Sequence, residues 1–367
     1  MYLQNNGEKL FLVKDVIVIG MEYTESFIGG IMKRFLCAVA LALSFSFVFS
    51  IDFPLGGDYA FRLTNPELLT SAGSAAGGGF YTAGPSSIVI NPALTASEQR
   101  IMLNLGYTAL FSSQQTDAFG SGAQVALLVP SRWGVFTGIL DGIFCDVGKL
   151  EYGNLLNLRG GFSKDITDRL YAGFALSTGT RWADGTDWHL AVNMGFVYHW
   201  GNFGFLKDVR IAGALTGLGK PYEIGMPSIA TPKLGVAGTL FSVSNDNVAA
   251  GFSADVSFPM FSNLVVDAGL QLRIAKFITI KSGWQFDARD TVNKNYNLMP
   301  SVGLTVRFGI NTKENQFMLD NGWQQSEITV SGAWQKLYQD ITAFSAGAAI
   351  NLGLKDTEAP KIQLWGE

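Results

Sequence analysis

The sequence holds two histidines, two cysteines and only 15% charged residues among 367. Each scarcity excludes something. His189 and His199 stand ten positions apart in one alternating segment. At the rise of a β-strand that spacing puts them on one face but roughly 30 Å apart, too far to share a metal or a catalytic triad. There is no Gly-x-Ser-x-Gly elbow, no Cys–His metal spacing and no phosphate-binding loop, and the run Gly77-Gly78-Gly79 lacks a following Lys-Ser/Thr. The expectation is a protein that is not an enzyme and needs no metal or cofactor. Two cysteines, Cys37 and Cys145, make no disulfide framework. Soluble domains carry about 25% charged residues, so 15% beside 48% apolar residues points away from that class. A net charge of −4 provides no basic stripe for nucleic acid. After residue 50 no segment approaches the roughly twenty consecutive apolar residues of a membrane-spanning helix.

What the chain has instead is alternation. Val248, Ala250, Phe252, Ala254, Val256 and Phe258 interleave with Ala249, Gly251, Ser253, Asp255 and Ser257. Successive side chains of a strand point to opposite faces, so a period of two reads as β. Similar segments recur from about Ile101 to Leu354, and 43 glycines and 13% aromatics accompany them. One parity is apolar; the other is mostly Gly, Ala, Ser, Thr and Asn with a few charges. That suits an all-β, antiparallel transmembrane barrel with lipid outside and a crowded lumen inside. The segments predict about fourteen strands: 101–112, 121–130, 133–144, 155–164, 169–180, 188–200, 208–217, 232–241, 246–258, 262–274, 276–287, 298–309, 326–338 and 341–354.

Trp188, Leu190, Val192, Met194, Phe196, Tyr198 and Trp200 share one parity and place aromatic rings at both ends of a strand, as interfacial girdles require. Arg159, Arg210, Arg273, Lys281 and Arg307 fall on the polar parity. A charge on the lipid face costs roughly 2–4 kcal/mol at mid-depth, so Phe252→Arg is expected to disrupt assembly and Ser253→Arg is not. Connections alternate long and short at first. Near Pro259 and over Ile310 to Gln325 the rule weakens, as it would if one strand were miscounted.

The N-terminal part is organised differently. Met32-Lys33-Arg34 precedes an apolar run from Phe35 to Phe49, and Val48-Phe49-Ser50 closes it with a small residue. This is the layout of a cleaved export signal over 32–50, and the run is too short to span a bilayer. Residues 1–31 read as a non-native upstream extension. Residues 51–100 carry paired glycines, the triple Gly77-Gly78-Gly79 and the prolines Pro54, Pro66, Pro85 and Pro92, without long alternation. Their apolar side chains need burial, which the lumen of a 101–354 barrel would provide. Residues 355–367 form a tail, expected in the periplasm.

Ser71-Ala72-Gly73-Ser74-Ala75-Ala76-Gly77-Gly78-Gly79-Phe80, then Ile90-Asn91-Pro92-Ala93-Leu94 directly before the first strand, resembles the FadL-type outer-membrane long-chain fatty acid transporters. Uncharacterised FadL-like spirochaetal proteins are the nearest likeness. The resemblance implies an outer-membrane barrel, monomeric in outer-membrane lipid, with a small N-terminal hatch in the lumen, the Asn91-Pro92-Ala93 motif at its end, and passive uptake of hydrophobic molecules such as long-chain fatty acids. It also implies sideways exit through the wall. Phe136, Gly138, Leu140, Asp141 and Gly142 are the gate candidates, because Phe136, Leu140 and Phe144 take the parity expected to be polar, and the glycines together with Asp141, a carboxylate misplaced inside the strand, suggest a bulge or kink. Phe53, Leu55, Phe61, Phe80 and Tyr81 are candidates for an apolar slot, or else form the hatch core. Arg159, Arg273, Lys281 and Arg307 are candidates for a ligand carboxylate, or else pair with Asp255, Asp267 or Asp287. The rival reading is a PorV-type barrel acting as a partner or shuttle for surface proteins; a third is a water-filled porin.

Overall fold

A computed structural model describes residues 54–353 except 71–73, 99, 114–118, 148–149, 184, 228, 244–246, 276, 296–297, 311–325 and 339. The readings of 1–50 and of the tail, and the slot candidate Phe53, lie outside these residues. Fourteen antiparallel strands close into a barrel. They are β1 Ile101–Ser112, β2 Phe119–Ser131, β3 Gly134–Val147, β4 Leu150–Asp165, β5 Leu170–Trp182, β6 Thr186–Phe203, β7 Leu206–Lys220, β8 Thr231–Val243, β9 Val248–Ser257, β10 Val265–Ile274, β11 Ile278–Asp287, β12 Ser301–Gly309, β13 Glu327–Leu337 and β14 Ile341–Leu352. Closure is made by β1 on β14, from Ile101 opposite Leu352 to Ser112 opposite Ile341. With every strand paired on both sides the barrel has no open edge, which is what a hydrocarbon environment demands of backbone polar groups.

The alternation fixes which face meets lipid. On β1, Leu103, Leu105, Tyr107 and Phe111 are exposed while Asn104, Thr108 and Leu110 are buried. On β6, Trp188, Leu190, Met194, Phe196 and Trp200 point outward and Asp187, His189, Ala191, Asn193 and Val197 inward. Trp188 and Trp200 lie roughly 40 Å apart along the strand, and a tilt of about 40° brings that to about 30 Å along the barrel axis, the height of an apolar belt with its two girdles. This is the architecture of an outer-membrane barrel.

No strand was miscounted. The connection 258–264 and the long link between β12 and β13 are both real features, although 311–325 lie outside the described residues. The strand expected from 298 begins at Ser301, because Asp287 caps a short helix, α2 (Ala288–Val292), through the Asp290 amide and the chain re-enters the wall late. For reference, the terminal end of the barrel is where β1 starts and β14 stops; the opposite one is the far end.

The lumen is filled. Residues 54–70 and 74–98 run inside the wall, and their polar groups bond to inward side chains of strands far away in sequence. Tyr59 Oη donates to Asp287 (2.7 Å), Asn65 Nδ2 to Asn104 (2.7 Å) and Ser86 Oγ to Gln124 (3.0 Å). The segment holds only short pieces of helix, including α1 (Pro66–Leu69), which Asn65 caps by accepting from the Glu67 amide. At the far end its Tyr59, Leu63 and Leu69 join Tyr152, Tyr222, Met226, Met299, Leu337, Tyr338 and Ile341 in one apolar cluster. A buried Leu or Ile side chain contributes about 1.5–3 kcal/mol, so this cluster is a substantial seal.

Filling the lumen corrects one expectation. Ser253 is buried, and its inward neighbours Gly251 and Asp255 touch Gly79 and the Ala75 amide of the segment. An arginine at 253 has no room. Both Phe252→Arg, on the lipid side, and Ser253→Arg are therefore expected to impair refolding into lipid bilayers, each measured as loss of the heat-modifiable barrel band on a gel; a Ser253→Arg barrel that refolds like the parent would show that the lumen has space.

Candidate functional site

A cavity of about 490 Å³ lies between the N-terminal segment and the inner faces of β10–β14 and β1. The wall supplies Gln271, Arg273, Thr279, Lys281, Thr305, Arg307, Thr329, Ser331, Asn351, Met102 and Asn104; the segment supplies Glu67, Leu68, Phe80, Tyr81, Ile90, Leu94, Glu98 and Arg100. All the wall residues lie in the half of their strands nearest the terminal end.

Three of the four carboxylate-binding candidates, Arg273, Lys281 and Arg307, meet here because each is an odd-numbered, inward position on a consecutive strand. Lys281 Nζ pairs with Glu67 of α1, whose other oxygen accepts from Thr305 Oγ1 at 2.9 Å. Arg273 lies over the Phe80 ring at 4.1 Å, while the Phe80 amide donates to Gln271 at 2.9 Å. Arg100 is clamped by Glu98 (2.9 Å) and by Glu327 of β13 (2.9 Å). Burial alone would lower the Arg100 pKa, but these two carboxylates more than reverse it. Burial also raises Tyr81 above its ordinary value, so it stays a neutral phenol whose hydroxyl donates to Leu94 O at 2.9 Å. The lining thus holds four cations, Arg100, Arg273, Lys281 and Arg307, against two carboxylates, Glu67 and Glu98. Its apolar side comes from Leu68, Phe80, Ile90, Leu94 and Met102.

The remaining candidates lie elsewhere. Arg159 is buried with Asp141 as its partner, and its guanidinium stands 4.3 Å over the Phe61 ring. Phe61 also stacks on His189, with ring centroids 5.9 Å apart. Leu55 packs on the far-end cluster, its carbonyl accepting from Tyr152 Oη at 2.8 Å. Of the slot candidates among the described residues, Phe80 and Tyr81 line the cavity and Leu55 and Phe61 do not. The expected ion-pair partners are also different: Asp267 is taken by Arg62 (3.3 Å), Asp287 by Tyr59 and Asn263, and Asp255 accepts from the Ala75 amide (3.3 Å).

The parity on which the gate rested is inverted. Phe136, Gly138, Leu140 and Phe144 are exposed on the lipid face, whereas Val135, Thr137, Ile139, Asp141 and Ile143 are buried inward. Asp141 is therefore not misplaced; it is an inward carboxylate holding Arg159 and accepting from Asn157 (2.8 Å). The ladders of β3 run without interruption from Gly134 to Phe144 on β2 and from Val135 to Cys145 on β4, the first register shift coming at Cys145/Asp146.

The Asn91-Pro92-Ala93 motif has a mechanical explanation. Asn91 accepts from the Ala93 amide (3.0 Å) and donates to Ala75 O (2.9 Å) and to Phe196 O in the wall (3.1 Å). Pro92 and Ala93 rest directly on Gly173 of β5. The sequence reading missed Glu67, Glu98 and Arg100, although charges are few in residues 54–100 and each one there was a signal. It also missed a set of inward glycines that seat the segment: Gly106 against Thr64, Gly122 against Leu63, Gly251 against Gly79 and Gly347 against Pro66.

No family model and no curated protein matches the chain. Among solved structures it is similar to the P. putida toluene transporter TodX (12% identity, 78% of this chain and 99% of that one, TM-score 0.44). It is similar also to the CymD monoaromatic hydrocarbon channel (11%, 80% and 99%, TM-score 0.45) and to a Pseudomonas aeruginosa FadL homologue (12%, 79% and 97%, TM-score 0.41).

Proposed function

We propose that this chain is an outer-membrane channel for passive passage of hydrophobic molecules that carry an anionic head, long-chain fatty acids in the first place, with the cavity beside β10–β14 as its binding site. The observation that carries the reading is the convergence of Arg273, Lys281 and Arg307 from three consecutive strands on that lining, beside an apolar surface from Phe80, Leu94 and Met102. A ligand pocket is typically of some 300–1,000 Å³ with a few convergent polar groups, and a guanidinium fork suits a carboxylate. A carboxylate in the cavity would meet Arg273 and Arg307 in its lining, whereas Arg159 is already neutralised by Asp141. Orientation follows the general rule of such barrels: short turns and termini in the periplasm. Nothing in the sequence couples passage to ATP, so a sink must draw the ligand.

Native mass spectrometry of the refolded barrel, incubated with mixed long-chain acids and with their methyl esters, tests this. Retention of the acids is expected, with the double substitution Arg273→Met, Arg307→Met weakening acid binding about 10- to 150-fold, the equivalent of charge-assisted bonds of about 1.5–3 kcal/mol. Ester binding should change little. A barrel that retains no acid would overturn the reading and favour a partner-binding role.

A further inference from the structure

We propose that the cavity also takes a second class of anion, in competition with long-chain acids: rigid amphiphiles with hydroxyls along one side and hydrocarbon on the other, such as hydroxylated sterol acids. This rests on the reading of the cavity as the site of an anionic amphiphile. The two sides of the cavity differ in kind, and that difference selects the class.

The wall side is a polar grid. Arg273 stands opposite Thr279, Thr279 opposite Thr305 and Thr305 opposite Ser331, so one inward row crosses β10 to β13. Neighbouring strands lie about 4.8 Å apart, which makes the row roughly 14 Å long, with a cation at one end and hydroxyls at even steps. Arg307 opposite Thr329 adds a shorter row beside it. Thr279 and Ser331 are more than nine-tenths buried, yet their hydroxyls, like that of Thr329, have no partner among the described residues. Thr305 gives its hydroxyl to Glu67 at 2.9 Å, and the Glu67 side chain is 31% exposed, so it can still accept from a ligand hydroxyl.

The segment side is the reverse. Leu68, Phe80, Ile90 and Leu94 bring hydrocarbon to the cavity. The segment's own hydroxyls are mostly engaged: Ser86 donates to Gln124 (3.0 Å) and Tyr81 to Leu94 O (2.9 Å), while Ser74 and Ser87 accept from the Ala76 and Gly84 amides (3.1 and 3.2 Å). Thr82 is left over on that side, and Glu98 and Arg100 hold each other.

A plain alkyl chain is apolar all round. It suits the segment side and leaves the wall hydroxyls to water, which it gains nothing by displacing. A rigid body hydroxylated on one side returns hydrogen bonds to the wall row while its other side rests on Phe80 and Leu94. A carboxylate at one end of it meets Arg273 or Arg307.

Native mass spectrometry of the barrel from lipid nanodiscs tests this with palmitate, with cholate, rich in ring hydroxyls, and with lithocholate, which lacks most of them. Cholate is expected to displace palmitate and to bind more tightly than lithocholate, against the order of apolarity. The triple variant Thr279→Val, Thr329→Val, Ser331→Ala keeps the shape of the wall. It should weaken cholate about tenfold or more and leave palmitate within about twofold. Palmitate retained without cholate would overturn this inference and leave the fatty-acid reading standing; neither acid retained would overturn both. Lithocholate tighter than cholate, cholate bound alongside palmitate, or a variant that weakens both acids alike would each show that the wall row does not read hydroxyls, and would overturn it. The comparison of cholate with lithocholate uses the parent barrel, so a variant that fails to refold leaves the inference refutable.

Discussion

Replacing Gly173 with valine is expected to unseat the N-terminal segment while leaving the wall of the barrel standing. A Cβ at Gly173 would lie 2.6 Å from the carbonyl carbon of Pro92 and 2.7 Å from the Ala93 nitrogen. Both are backbone atoms, so no rotamer change relieves the clash, and the cost exceeds the about 1–3 kcal/mol of an ordinary overpacked core. The wall has no reason to fail, since valine favours strands and Gly173 pairs regularly with Ser163 and Gly195. Displacing Pro92 and Ala93 also pulls on Asn91, and with it the bonds to Ala75 and Phe196. Amide hydrogen exchange should rise by orders of magnitude across residues 54–98 and stay slow in the strands. In planar bilayers the parent is expected to be silent and the variant to conduct. Unchanged exchange together with a silent variant would show that the segment is held by something other than its glycine seats.

That seat explains how much of the molecule could be read from the chain. Strand number and most strand limits were legible because two different media flank the wall, and the contrast is written residue by residue in segments such as 188–200 and 248–258. Strand β3 defeated the method for a physical reason. Its inward face, Val135, Ile139 and Ile143, packs on the filled lumen and is as apolar as its outward face, while Gly138 faces lipid. With both faces apolar, parity carries no signal, and only pairing with β2 and β4 fixes the phase. Asp141 was the one informative residue there, and it pointed inward.

The site was legible by type and not by partner. Arginines on the polar parity had to face the lumen, and they do. Which of them remain available depends on what the N-terminal segment brings to each: Glu67 reaches Lys281 from 214 positions away, and Arg62 takes Asp267 from 205 positions away. Such pairings follow from the path of a segment with almost no regular structure, and local pattern does not encode that path. The same holds for Phe80 and Phe61, equally apolar, one on the cavity and the other under Arg159.

The Asp141–Arg159 pair gives the sharpest test of whether β3 is a moving part or a fixed one. Both side chains are almost wholly buried, and the pair is extended by Asn157 donating to Asp141, by Tyr222 Oη donating to Asn157 at 2.9 Å, and by the Phe61 ring beneath the guanidinium. Removing one partner of a buried pair leaves an uncompensated charge, at a cost of about 3–5 kcal/mol, whereas replacing both with apolar groups of similar size is often neutral or stabilising. Asp141→Leu should therefore lower stability by about that amount in urea titrations of the barrel in lipid bilayers, and the double variant Asp141→Leu, Arg159→Met should recover most of it. The coupling extracted from the cycle is then large and favourable, as a rigid strut between β3, β4 and the N-terminal segment requires. A strand that opened to release ligand would break this pair in every transit, leaving both charges in the wall. Additive losses, with the double variant as unstable as the two single ones combined, would mean that the two charges are not coupled in the folded barrel and would return β3 to consideration as a gate.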